Sequence, residues 1–183
     1  MSGMRVHDKD FEPFIPQDAI QQAVRRIAEA LERDYAGCES LVCMVVLKGS
    51  FIFAADLLRE LTVPCRIEFI SAKSYGSAME SSGKVAMQIP DIDLKGKHVL
   101  LIEDIVDTGL TLSSLLSAIQ ASGPASLEIA ALISKPAMRK VELRVKYQGI
   151  EIPPVFILGY GLDYAEHGRA LPDIWALAGG AEQ

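Results

Sequence analysis

Residues 99–112 read Val-Leu-Leu-Ile-Glu-Asp-Ile-Val-Asp-Thr-Gly-Leu-Thr-Leu, and they combine two chemistries. A run of strand-forming apolar residues ends in adjacent carboxylates, Glu103 and Asp104. Asp107 then opens a short loop, and Leu112, Leu115, Leu116 and Ile119 follow at helical spacing. A strand that enters a helix N-terminus through such a loop presents unpaired main-chain N–H groups, an anion site suited to phosphate. Thr108 and Thr111 add hydroxyl donors, and Gly109 lets the backbone come close without a Cβ. Carboxylates beside a phosphate cradle imply a ligand that also carries hydroxyl groups, Mg²⁺ or a developing cation. Asp107 also stands where a helix N-cap is expected, a role compatible with chemistry.

Elements must bring this segment to other functional groups. After Pro16, the positions Ile20, Val24, Ile27, Leu31 and Tyr35 recur at helical spacing, and Gly37 is placed to stop the helix. Leu41–Leu47 is a continuous apolar run, read as a buried strand, and Phe51 to Leu61 reads as a helix. Further strands are expected at 64–70, 98–103, 127–133 and 155–158. Strands alternating with helices predict an α/β fold, a doubly wound and mostly parallel sheet within one domain, 1–183. Ligands of such sheets bind beyond the carboxyl ends of the strands. Lys48-Gly49-Ser50, Glu103 to Thr111, Ser134-Lys135-Pro136 and Gly159 to Asp163 are therefore expected on one rim. The connection from Ser71 to Pro90 is too long for ordinary punctuation and reads as a lid.

Composition narrows the classes. A chain of 183 residues that is half hydrophobic suits a single core, and its formal charge of −6 argues against broad nucleic-acid binding. No apolar run approaches the ~20 residues of a membrane span. Cys38, Cys43 and Cys65 show no metal-ligand spacing and read as reduced thiols of a cytoplasmic protein. His7, His98 and His167 show no zinc spacing. Gly76 and Gly83-Lys84 fail as a P-loop because six residues separate the glycines, and Gly159-Tyr160-Gly161 lacks the third glycine of a dinucleotide fingerprint.

Val99 to Leu112 resembles the phosphoribosyl diphosphate (PRPP) signature of the type I phosphoribosyltransferases. Leu47-Lys48-Gly49-Ser50, Ser74-Tyr75-Gly76, Lys135-Pro136 and Phe156 to Tyr164 narrow the resemblance to the hypoxanthine (hypoxanthine–guanine) phosphoribosyltransferases, from about Leu41 to Pro172. The resemblance implies a small hood built from the terminal segments, a flexible lid loop and a purine-salvage reaction. Ribosyl phosphate would pass from PRPP to N9 of a 6-oxopurine, with Mg²⁺, giving IMP or GMP and pyrophosphate. Glu103 and Asp104 would bind the ribose hydroxyls, and Asp107, Thr108, Gly109, Leu110 and Thr111 would hold the 5′-phosphate. Asp107 would face N7 as general base or electrostatic partner.

The same resemblance makes Lys135 the donor to O6, Phe156 and Ile105 the stacking residues, and Ile157 a main-chain reader of the purine edge. Asp163 would ligate Mg²⁺, with Glu103 and Asp104 as further candidate ligands. Lys48 and Gly49 would bind pyrophosphate at a non-proline cis peptide, Ser74 and Tyr75 would close the lid, and Arg169 would contact pyrophosphate. His167-Gly168 depart from the bulkier pair that family members place before that arginine. A homo-oligomer, dimer or tetramer, is implied, with no nucleic-acid or membrane partner. Competing readings are a transferase for xanthine or uracil, a PRPP-sensing regulator, and a generic nucleotide-binding domain. The last accounts for the loop but not for the paired carboxylates.

Overall fold

The computed structural model describes residues 3–74 and 85–181. The first part of the chain gives β1 (Met4–Val6), β2 (Lys9–Ile15), α1 (Gln17–Asp34), β3 (Leu41–Leu47), α2 (Phe51–Glu60), β4 (Cys65–Ser74) and β5 (Val85–Gln88). The second part gives β6 (His98–Val106), α3 (Leu110–Gln120), β7 (Ser126–Ser134), a 3₁₀ turn at Pro136–Met138, β8 (Tyr147–Glu151), β9 (Val155–Leu158) and β10 (Ile174–Ala181). Six strands form the main sheet in the order β5-β4-β3-β6-β7-β8, parallel except for the antiparallel β4–β5 pair.

The apolar run of β3 follows from its central position. Leu41, Cys43 and Val45 pack with Leu100 and Ile102 against α1 and α2 on one face. Val42, Met44 and Val46 pack with Val99 and Leu101 against α3 on the other. Both faces are covered, so both sets of alternating side chains must be apolar. The buried stripe of α1 (Ile20, Ala23, Val24, Ile27, Leu31) is the periodicity read from the sequence. Gly37 follows that helix at φ +79°.

One strand assignment is corrected. Val155–Leu158 is a strand, but it belongs to a separate antiparallel sheet of order β1-β2-β10-β9, the hood. The fifth parallel strand is β8. Only residues 152–154 separate β8 from β9, far fewer than the dozen or more that a parallel crossover needs, so β9 leaves the sheet. The long connection read as a lid begins as a hairpin stem, with Ser71 opposite Gln88 and Ser74 opposite Val85. Tyr75 and the side chain of Ser74 lie outside the described residues.

Candidate functional site

The carboxyl end of β6 opens into a cavity of about 240 Å³ lined by Glu103, Ile105, Asp107, Thr108, Gly109 and Thr111. The helix at its edge starts at Leu110 and is capped by Gly109 at φ +78°, with no side-chain capping bond. Asp107 is therefore not the N-cap. The Leu110 N–H reaches Thr108 Oγ1 only at 3.5 Å, so the start of the helix, with a dipole worth roughly half a positive charge, can receive an anion.

Asp107 instead pairs with Lys135. The Lys135 ammonium lies 3.7 Å from Asp107 Oδ2, and its side chain is only 2% exposed. Asp107 Oδ1 is buried without a hydrogen-bond partner. A buried lysine is costly unless charge and hydrogen bonds compensate it, so its position at the end of β7 is a marked feature of this rim. Burying an unpartnered carboxylate oxygen also costs, and a ligand donor would repay that cost.

The adjacent carboxylates divide between two neighbours. Glu103 faces the cavity, and its Oε2 is buried and unpartnered. Burial, reinforced by the Asp104 carboxylate, holds the Glu103 carboxyl well above its ordinary range. Asp104 faces the Lys48–Ser50 turn. Its main-chain N–H donates to Ser50 Oγ at 2.9 Å, and its Oδ1 accepts from Ile105 N–H at 2.8 Å. Burial nevertheless pushes its carboxyl up to about 6, outweighing the hydrogen bonds the carboxyl itself makes, the Ile105 N–H first among them. Gly49 is glycine for a steric reason, because a Cβ there would overlap the Asp104 carboxylate.

A second group of residues completes the rim. The Leu47–Lys48 peptide is cis. The loop after β9 seats Gly161, at φ +100°, directly on the Gly49 carbonyl. Arg169 pairs with Asp163 at 2.7 Å and Glu166 at 3.3 Å, and donates to the Gly161 carbonyl at 2.9 Å. Glu166 also receives Lys48 at 3.1 Å. Gly168, the departure noted in the sequence, sits at φ +92° with its open side against Leu158, and Arg169 is held on both sides of the loop. Gly49 connects the two groups, because the Asp104 carboxylate packs against it and Gly161 sits on its carbonyl.

Residues 16–165 match the Phosphoribosyl transferase domain family. A hypoxanthine-guanine phosphoribosyltransferase of Dictyostelium discoideum is 42% identical over 165 residues, covering 88% of this chain and 92% of the relative. The chain belongs to the hypoxanthine(-guanine) phosphoribosyltransferase family. A crystal structure of a hypoxanthine-guanine phosphoribosyltransferase from Bacillus anthracis, with HEPES in its active site, superposes with a TM-score of 0.84. It is 43% identical, covering 90% of this chain and 97% of that one. A Trypanosoma cruzi hypoxanthine phosphoribosyltransferase, studied for the role of its C-terminal region in oligomeric state and activity, gives a TM-score of 0.85 at 38% identity. That match covers 95% of this chain and 94% of the other.

Within this phosphoribosyltransferase, Phe156 and Ile157 lie on the hood, outside the lining of the cavity. Phe156 packs edge-on against Tyr164 at 5.6 Å, and β9 is an edge strand whose main chain is paired on one side only. Three polar residues at the site had no role in the sequence reading. Ser50 anchors Asp104, Glu166 bridges Lys48 and Arg169, and Arg139 donates to the Asp107 carbonyl at 3.3 Å. Ser50 follows the strand end and was legible as a position. Glu166 and Arg139 lie in irregular loops that carry no periodic signal.

Proposed function

We propose that this phosphoribosyltransferase serves purine salvage, moving the 5-phosphoribosyl group of PRPP to N9 of hypoxanthine or guanine and releasing pyrophosphate. One observation carries the reading. Unpartnered carboxylate oxygens of Glu103 and Asp107 and an open helix N-terminus share one cavity, and Lys135 pairs with Asp107 at its rim. The main chain and hydroxyls of Thr108 to Thr111 anchor the 5′-phosphate. Glu103 and Asp104 accept from the ribose hydroxyls and sit beside an anomeric carbon that becomes positive as the diphosphate departs. That arrangement favours the charge developing in the transition state over the ground state.

Asp107 takes or stabilises the proton displaced from the base, a contribution of about 10²–10⁴ in rate. Lys135 offers donors and no acceptor, which fits a 6-oxo group and rejects a 6-amino group. Phe156 and Ile105 enclose the purine, and the free edge of β9 at Ile157 reads its perimeter. Lys48, Gly49 and Arg169 receive pyrophosphate, with Glu166 as the carboxylate that leaves these cations when the anion arrives. The Ser74 side chain and Tyr75, which the resemblance assigns to the lid, would act from outside the described residues.

Mg²⁺ fits these residues. Among the described residues no group of three or more His, Cys, Asp or Glu is gathered closely enough to hold a metal by itself. The buried, mutually repelling Glu103 and Asp104, and Asp163 on the loop after β9, are carboxylates of the kind that Mg²⁺ sites usually combine with substrate oxygens and water. A bound Mg²⁺ supplies positive charge to the departing diphosphate. Asp163, with Glu103 and Asp104, would hold it. The chain acts in the cytoplasm as a homo-oligomer, dimer or tetramer; free Cys38, Cys43 and Cys65 agree with a reducing compartment. No helix among the described residues is long and apolar enough to cross a membrane.

The test is product identity. Purified chain with PRPP and Mg²⁺ is offered hypoxanthine, guanine, xanthine, adenine and uracil, and pyrophosphate and nucleotide masses are followed. IMP or GMP is the expected product. Nucleotide formed only from adenine or uracil, or none at all, overturns the proposal.

A further inference from the structure

Arg139 is not used by the reaction as described, yet it spans the two strand ends that carry Asp107 and Lys135. Its Nη1 donates to the Asp107 main-chain carbonyl at 3.3 Å, and its Nη2 donates to Ser134 Oγ at 2.9 Å. Ser134 is completely buried and immediately precedes Lys135. The two strand ends are joined a second time by the main chain, where Lys135 N–H donates to the Val106 carbonyl at 3.0 Å. The segment after the 3₁₀ turn then follows the phosphate loop. Lys140 N–H donates to the Thr108 carbonyl at 3.0 Å, and Val141 and Leu143 close over Gly109.

We infer that Arg139 is a positioning residue for base recognition, a guanidinium that fixes the spacing between Asp107 and Lys135 by holding one oxygen on each strand end. The inference rests on the roles proposed above for those two residues. The planar guanidinium suits this task because its N–H groups point in fixed directions and can hold two acceptors at once. A lysine at the same place satisfies one acceptor and leaves the other. The 5′-phosphate cradle does not depend on Arg139 to the same degree, since α3 and the Lys140–Thr108 bond hold it independently.

Arg139→Gln and Arg139→Lys are compared with the wild-type chain in steady-state pyrophosphate release, varying PRPP and hypoxanthine separately, with thermal unfolding measured in parallel. Arg139→Gln is expected to lower kcat/KM for hypoxanthine by about ten- to a hundred-fold, the effect of misplacing charge-assisted contacts in the transition state. The KM for PRPP should stay within about threefold in the same variant. Arg139→Lys should recover part of the loss. A purely structural role would lower the melting temperature and leave kcat/KM unchanged below it, which overturns the inference. So does a loss confined to the KM for PRPP, or an Arg139→Lys variant as active as wild type. A wild-type chain inactive with both 6-oxopurines defeats the functional proposal and this inference together. An active wild type with an equally active Arg139→Gln defeats only this inference.

Discussion

Asp104→Asn should stabilise the free protein near neutral pH while removing its activity. The Asp104 carboxyl is raised from 3.8 to about 6 in the folded chain, principally by burial. A carboxyl raised on folding binds its proton more tightly in the native state. Its contribution therefore favours folding least where it must ionise: stability falls as pH rises from about 4 to about 6, then levels off. A shift of about two units corresponds to roughly 3 kcal/mol at pH 7.5, and integration of the same two values leaves about 1 kcal/mol at pH 4.5.

Asparagine keeps an oxygen for the Ile105 N–H and carries no charge, so the variant removes this cost at both pH values. The stabilisation of variant over wild type should thus be about 2 kcal/mol larger at pH 7.5 than at pH 4.5, or about 4–8 °C in melting temperature for a chain of this size. Relief of the repulsion on Glu103 acts in the same direction. Thermal unfolding of both proteins at the two pH values, without PRPP or Mg²⁺, is the assay. An equal difference at both pH values, or destabilisation at pH 7.5, would refute the reasoning that these carboxylates are held at a cost.

Asp107→Ala should lower kcat by about 10²–10⁴ with a much smaller effect on PRPP affinity, measured by steady-state kinetics and titration of PRPP; an undiminished kcat removes its proton-handling role. Lys135→Ala should reduce kcat/KM for both hypoxanthine and guanine and also lower the melting temperature, because it leaves a buried void and an Asp107 carboxylate without its cation. Unchanged kcat/KM for both bases would contradict the O6 contact. Gly161→Ala should cost more than about 2 kcal/mol in denaturant unfolding, since it combines φ +100° with a Cβ set against the Gly49 carbonyl. A neutral result would mean that this loop does not rest on the Lys48–Ser50 turn.

What could be read from the chain follows from where its residues are buried. The β3 strand appears in the sequence with its true bounds because both of its faces are covered, and α1 appears because one stripe alone is. The loop from Asp107 to Thr111 was legible because a strand end, a glycine cap and a helix start fall within a few residues. By contrast, β8 reads Tyr-Gln-Gly-Ile-Glu, an edge strand with little pattern. Its Gly149 is there because a Cβ would strike the Leu132 backbone, a constraint visible only when the neighbouring strand is in place. The hood was expected only through the resemblance, since it pairs Lys9–Ile15 with Ile174–Ala181 across almost the whole chain.

Site residues divide in the same way. Glu103, Asp104 and Asp107 are clustered in sequence and announce themselves. Lys135 acquires meaning from its burial beside Asp107, and Arg139 from two hydrogen bonds that no spacing rule contains.

A crystal structure of the chain with IMP bound tests the central claim most directly. The account places the phosphate on the main-chain N–H groups of residues 108–111, the ribose hydroxyls on Glu103 and Asp104, and O6 within hydrogen-bond distance of Lys135. A nucleotide whose sugar lies away from both carboxylates, or whose phosphate sits elsewhere than the start of α3, would contradict it.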